Sequence, residues 1–341
     1  MKNTPNGRSS RQTLSVAVLL LLLAASFICS LLFGAEKVRL YDLFCSTADN
    51  RFPRIILVNL RLPRTILVAL SGILLAGAGA AFQLFFRNPL AEPGIMGITS
   101  GATLGAVAAG CLGFSPVLAG MLSPVNAGAF SGALVSGILV GALAGKRTGP
   151  SSTVALLLCG TALGTLYSAL TSIILLLREK ELHAMYVWML GSFNGRGWNE
   201  LKFIAAPAAL SVILLIICSL PLDLLAGGER TASSLGVEVG KLRMLVMTAG
   251  ALAVSAAVCA GGTIGFVGLI APHIVRRLYG AKSRTLIPLS MAAGAVLLLL
   301  SDTLARTIAS PAELPVGVIT SLLGAPFFIS LIFSDKGLRN G

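Results

Sequence analysis

Uncharged runs about twenty residues long recur along this chain, and they decide what it can fold into. The clearest is Thr65 to Phe86, twenty-two residues without a charge. As a helix rising ~1.5 Å per residue, it crosses a hydrocarbon core of ~30 Å. The run then breaks at Arg87-Asn88-Pro89, with Pro93, Gly94 and Gly97 close behind, so the helix must stop and the chain must turn. The next apolar run carries Gly97, Gly101 and Gly105 four residues apart. That spacing offers bare backbone on one helix face, where a second helix can approach closely.

Runs of this kind are predicted at 14–33, 65–86, 95–113, 124–144, 153–177, 202–220, 243–260, 264–278, 286–303 and 316–333. Charged residues are only 11% of the 341, against about 25% in an average soluble domain. The expectation is an all-α integral membrane protein, a single polytopic domain over 1–341 with about ten transmembrane helices. The first run is too long for a signal-peptide core and lacks a clear cleavage site, so it is read as a retained span. Spans two to five and seven to ten cross in opposite senses. Each block has a Gly/Pro interruption near its first turn, RNPLAEPG in one and GGTIGFVG in the other. This pattern predicts an inverted repeat of helices 2–5 and 7–10.

With ten spans both termini share one side. The loops on that side hold fifteen Lys and Arg against eleven on the other. The positive-inside rule therefore places both termini, and a tail at 1–13, in the cytoplasm of a cell-membrane protein. The net charge of +13 shows no clustered basic face, so nucleic acid is not an expected partner. The six cysteines lie mostly in apolar runs without C-x-x-C spacing and read as small core side chains.

Catalytic patterns are missing. No G-x-x-x-x-G-K-[ST] phosphate loop occurs, and the two histidines, His183 and His273, are far apart without an H-x-x-x-H partner. No metal or cofactor is expected on this chain. Glu92, Asp302 and Glu313 fall at predicted span ends. An ion-coupled carrier usually holds acids within its spans, so that class is disfavoured while staying open. Ser151, Ser152 and Thr153 begin the fifth span beside Lys146-Arg147. They read either as helix N-caps or as the border of a pathway's inner mouth.

Four stretches in order carry a resemblance. RLPR at 61–64 is followed by Gln83 and RNPLAEPG, then WMLGSF at 188–193, GFVGLIAPHIVRR at 265–277 and ELPVGVITSLLGAPFF at 313–328. Together they resemble the FecCD-type permeases, membrane subunits of ABC importers for iron–siderophore complexes, haem and cobalamin. The resemblance implies cytoplasmic ATPase subunits that use ATP and Mg²⁺, an extracytoplasmic binding protein, and a second permease copy or close relative. It implies that Arg61, Arg64 and Arg306 face carboxylates on the binding protein. The alternative is that these arginines snorkel to the lipid headgroups. In the polar segment 221–243, Glu229-x-x-Ala232-x-x-x-Gly236 resembles the loop by which importer permeases dock onto their ATPases. A helix–Gly–helix knob there can carry a rigid push into the spans.

Overall fold

Two long helices rich in Ala and Gly form the axis of the bundle. The computed structural model describes residues 6–34, 54–112, 122–145 and 151–333. α1 is Asn6–Leu32, and a π-helical turn at Ile56–Arg61 leads into α2, Leu62–Phe85. A 3-10 turn at Pro93–Met96 precedes α3 (Ile98–Leu112), α4 (Pro124–Gly145) and α5 (Ser151–Leu177). Next come α6 (Glu179–Met189), α7 (Trp198–Ile217), α8 (Ser219–Ala226) and α9 (Glu229–Ser234). Last are α10 (Val239–Gly261), α11 (Val267–Tyr279), α12 (Ser283–Thr307) and α13 (Val316–Phe333). Among the described residues there is no strand.

Every expected span contains a helix, but they are not alike. Seven helices among the described residues are long and apolar enough to cross a membrane. The other three, α3, α11 and α13, have 15, 13 and 18 residues. Two of these are short because the chain turns inside the bundle before they begin. Gly97 takes φ +70° ahead of α3, and Gly262 and Phe266 take +72° and +67° ahead of α11. One helix lies between the expected fifth and sixth spans. Residues 178–202 contain α6, whose first turn carries Glu179 and Glu181, favourable at a helix N-terminus. Its Met185 is buried with Val107 and Cys111.

The two blocks match in form. α2–α3–α4–α5 and α10–α11–α12–α13 each run long helix, break, short helix, long helix, final helix. The first helix of each block packs on the third helix of the other, α2 on α12 and α10 on α4, and α2 packs on α10. These pairs are antiparallel. Arg64 meets Asp302 while Gly72 meets Gly294, and Gly137 meets Ala251 while Gly141 meets Met247. This is the exchange of partners that a two-fold relation between inverted blocks requires.

Glycine sets the distance between these helices. A Cβ on Gly72 would overlap the carbonyl oxygen of Gly294, and one on Gly105 would overlap that of Gly128. In lipid, such backbone contact replaces the hydrophobic drive that packs soluble helices. The expected single face of Gly97, Gly101 and Gly105 is divided. Gly101 and Gly105 face α4, whereas Gly97 lies before the helix and faces Gly160 and Gly164 of α5.

Candidate transport and coupling sites

At one end of the bundle five charged side chains converge. Arg64 donates from Nη2 to Asp302 Oδ1 at 2.8 Å, and from Nη1 to both Glu313 oxygens at 2.8 and 3.1 Å. Arg306, one turn beyond Asp302 on α12, places Nε 3.1 Å from Asp302 Oδ2. Its Nη2 reaches the carbonyl and hydroxyl oxygens of Ser30 on α1, at 2.9 and 3.0 Å. Arg61 donates to the carbonyls of Leu31 and Leu32, the last residues of α1. There its charge suits the negative end of the helix dipole.

These contacts change the picture drawn from the sequence. Arg61 and Arg306 are buried and Arg64 nearly so, with guanidiniums turned toward α1, α12 and the loop before α13. The physical reason is cost, since a charge inside a membrane bundle is stable only when paired or solvated. Their forks point into the bundle and not toward lipid headgroups.

The opposite end carries segment 221–243. α8 buries Leu222 and Leu225, and α9 buries Ala232. Thr231, Ser233, Ser234, Leu235 and Gly236 are exposed. After α9, the Val237 N–H bonds to Ala232 O at 2.9 Å and the Gly236 N–H to Ser233 O at 3.1 Å, closing the helix C-terminus. Gly236 sits at φ +87° with nothing within 4 Å of where a Cβ would lie. The predicted helix–Gly–helix knob is present, with Ala232 as its root, Glu229 opening α9, and Gly236 at its turn.

Between these ends lies a cavity of about 580 Å³, bounded by both chain breaks. Leu75 of α2, Glu92, Val254 of α10, Thr263, Gly268 of α11 and Ser321 of α13 line it. Glu92 Oε1 accepts the Phe266 N–H at 2.9 Å, so the break of one block caps the short helix of the other. The sequence reading missed this latch and the cavity. A carboxylate inside a Pro/Gly-interrupted turn was the available signal. Gln83, which the resemblance singled out without a role, donates to Gly268 O at 3.1 Å and accepts from Arg276 at 3.2 Å.

α5 packs on α3, α4 and the 3-10 turn with one side and leaves most of its surface exposed. Thr161, Thr165, Ser168 and Ser172 are all exposed, each hydroxyl bonded to a carbonyl of its own helix. Their spacing of four, three and four residues places them in one stripe. Ser151, Ser152 and Thr153 open α5, and their side chains lie outside the described residues.

A bundle of apolar helices around a cavity, with a knob at one end, is the architecture of a membrane transport component. The FecCD transport family matches residues 21–334, and the chain belongs to it. It is therefore a permease subunit of ABC importers, a class that works with ATPase and substrate-binding partners in the cell membrane. The hemin transport system permease protein HmuU of Yersinia pestis is 36% identical over 98% of this chain and 100% of that relative. The cobalamin import system permease protein BtuC of Halobacterium salinarum is 40% identical over 84% of this chain and 75% of that protein. A solved ABC transporter structure, assigned to the metal-chelate type and inward-facing, superposes with a TM-score of 0.82. It is 33% identical, with 93% of this chain and 97% of that chain covered.

Proposed function

We propose that this chain carries an iron(III)–siderophore-type complex across the cytoplasmic membrane, along a pathway between two permease copies. Separate ATPase subunits supply the energy. The observation that carries this reading is the hydroxyl stripe on the exposed face of α5. A lipid-facing helix gains nothing from such a row. A wide pathway does, because uncharged hydroxyls contact a bulky polar cargo without binding it tightly. The same walls suit haem or cobalamin, which are the alternative cargoes.

On this reading both termini and the knob are cytoplasmic, and Ser151, Ser152 and Thr153 border the inner mouth. The Arg64 end then faces the binding protein. Arg61, Arg64 and Arg306 act as its docking residues in a modified way. A partner carboxylate gains Arg64 by exchange with Glu313, whose side chain is 23% exposed, whereas Asp302 is fully enclosed.

The test reconstitutes permease, ATPase and binding protein in vesicles and follows uptake of a radiolabelled ferric siderophore. ATP-dependent uptake that unlabelled haem and cobalamin fail to compete for is expected. Competition by either would select the alternative cargo, and uptake that ignores ATP but collapses with an ion gradient would reject the importer reading. Within the same vesicles, Gly236→Arg is expected to lower uptake at least tenfold while the permease still inserts and packs. A side chain at φ +87° costs roughly 1–2 kcal/mol and reshapes the knob, which lies outside the bundle. Wild-type uptake by Gly236→Arg would remove 221–243 from the mechanism.

A further inference from the structure

The first turn of α12 leaves N–H groups without intrahelical partners, as every helix does. Its N-cap, Lys282, contributes no side-chain cap. The cap comes instead from another helix: Asp223 of α8 accepts the Ser283 N–H on Oδ1 at 2.6 Å. A carboxylate suits that position, where the helix dipole is positive. Asp223 lies between Leu222 and Leu225, both buried in the core, so α8 is held close to the bundle while its neighbour α9 is largely exposed. α12 is thereby fastened to segment 221–243.

α12 is suited to transmit movement. It runs unbroken from Ser283 to Thr307, with Pro288 confined to its second turn. At ~1.5 Å per residue it is about 37 Å long. Gly294 seats it backbone-to-backbone on Gly72 of α2. Its far end holds Asp302, which pairs with both Arg306 and Arg64, and Arg64 in turn holds Glu313 ahead of α13. α13 walls the cavity through Val318 and Ser321.

We propose that Asp223 is the positioning residue that fastens the knob segment to α12. Displacement of the knob then reaches the Asp302 cluster and the α13 wall of the cavity as a shift of one rod. This rests on the reading of 221–243 as the ATPase contact.

Three variants of the complete complex in vesicles test it: Asp223→Ala, Asp223→Asn and Ser283→Pro. Asparagine keeps an oxygen acceptor. Proline removes the N–H donor without touching Asp223. It is tolerated at the first helical position, and Lys282 at φ −65°, ψ 122° already has the extended form a residue before proline needs. The readout is cargo moved per ATP hydrolysed, with ATPase retention on the permease measured alongside. Asp223→Ala and Ser283→Pro should each lower the ratio roughly tenfold, the range one charge-assisted hydrogen bond can carry. The ATPase should stay bound and active, and Asp223→Asn should remain near wild type. The double variant should be no worse than either single, because both remove one bond.

An unchanged ratio in either single variant would overturn the proposal. So would a double variant as low as the product of the two. Uptake and ATP hydrolysis falling together with the amount of folded permease would reduce the bond to a stabilising cap. Loss of the ATPase from Asp223→Ala would also overturn it, since the bond would then shape the contact surface. Failure of the contact reading itself looks different, because Gly236→Arg would then transport normally.

Discussion

Replacing Gly79 by alanine is expected to remove nearly all folded permease from the membrane. A Cβ there would overlap the carbonyl oxygen of Gly268 and lie 2.6 Å from its carbonyl carbon and Cα. These are backbone atoms in the first turn of α11, so no rotamer change relieves the contact. Overpacking a core costs about 1–3 kcal/mol when side chains can yield, and more when backbone must move. Displacing Gly268 also strands Gln83, which bonds its carbonyl and anchors Arg276. A buried polar group left unpaired adds about 1–3 kcal/mol. The sum approaches the ~5–15 kcal/mol that holds a typical protein folded. Gly164→Ala is the control. Its Cβ would find Gly97 Cα at 3.5 Å and Ser100 Oγ at 3.6 Å, ordinary contact distances. The measurement is the fraction of detergent-extracted permease that elutes as a single species. Equal fractions for the two variants would refute the role given to the Gly79–Gly268 crossing.

That contrast also marks how far the sequence could be read. Four-residue glycine spacing announced close helix packing at Gly101 and Gly105, because that signal is local. Gly79 and Gly268 lie nearly two hundred residues apart, and nothing near either names the other. The spans were legible for the same reason as the glycines, since hydropathy is summed along the chain. Their depth was not. Whether a 13-residue helix begins inside the bundle depends on a turn at Gly262 and Phe266 and on a cap from Glu92 in the other block. The helix–Gly–helix form of 221–243 was legible because a glycine that ends a helix acts locally. The ion pairs of the arginines were not legible, for the opposite reason. Charges at span ends usually face outward, and only the fold brings Asp302 and Glu313 against Arg64.

Asp302→Ala is expected to produce the largest loss of stability of any single side-chain truncation in this chain. Asp302 is fully buried and faces two guanidiniums, at 2.8 and 3.1 Å. Removing one member of a buried ion pair costs about 3–5 kcal/mol, because the remaining charge has lost its compensation. Here two charges lose it, although Arg64 keeps Glu313 and Arg306 keeps Ser30. Asp302→Asn retains an acceptor and should fall between wild type and alanine. Glu313→Gln belongs to another regime. Glu313 is partly exposed and Arg64 keeps Asp302 when it is neutralised, so the permease should stay folded. The two sites therefore separate a clamp from a docking residue. If a binding-protein carboxylate exchanges with Glu313, neutralising Glu313 should leave Arg64 readier for the partner and tighten binding several-fold, measured by surface plasmon resonance at low salt. If Arg64 serves only to tie α2, α12 and the loop before α13 together, affinity should not move. Reversal at Arg64 itself is the wrong probe, because a glutamate there would face Asp302 and Glu313 and the cluster would come apart. A melting temperature for Asp302→Ala within a degree or two of wild type would mean that the cluster does not clamp the bundle at all.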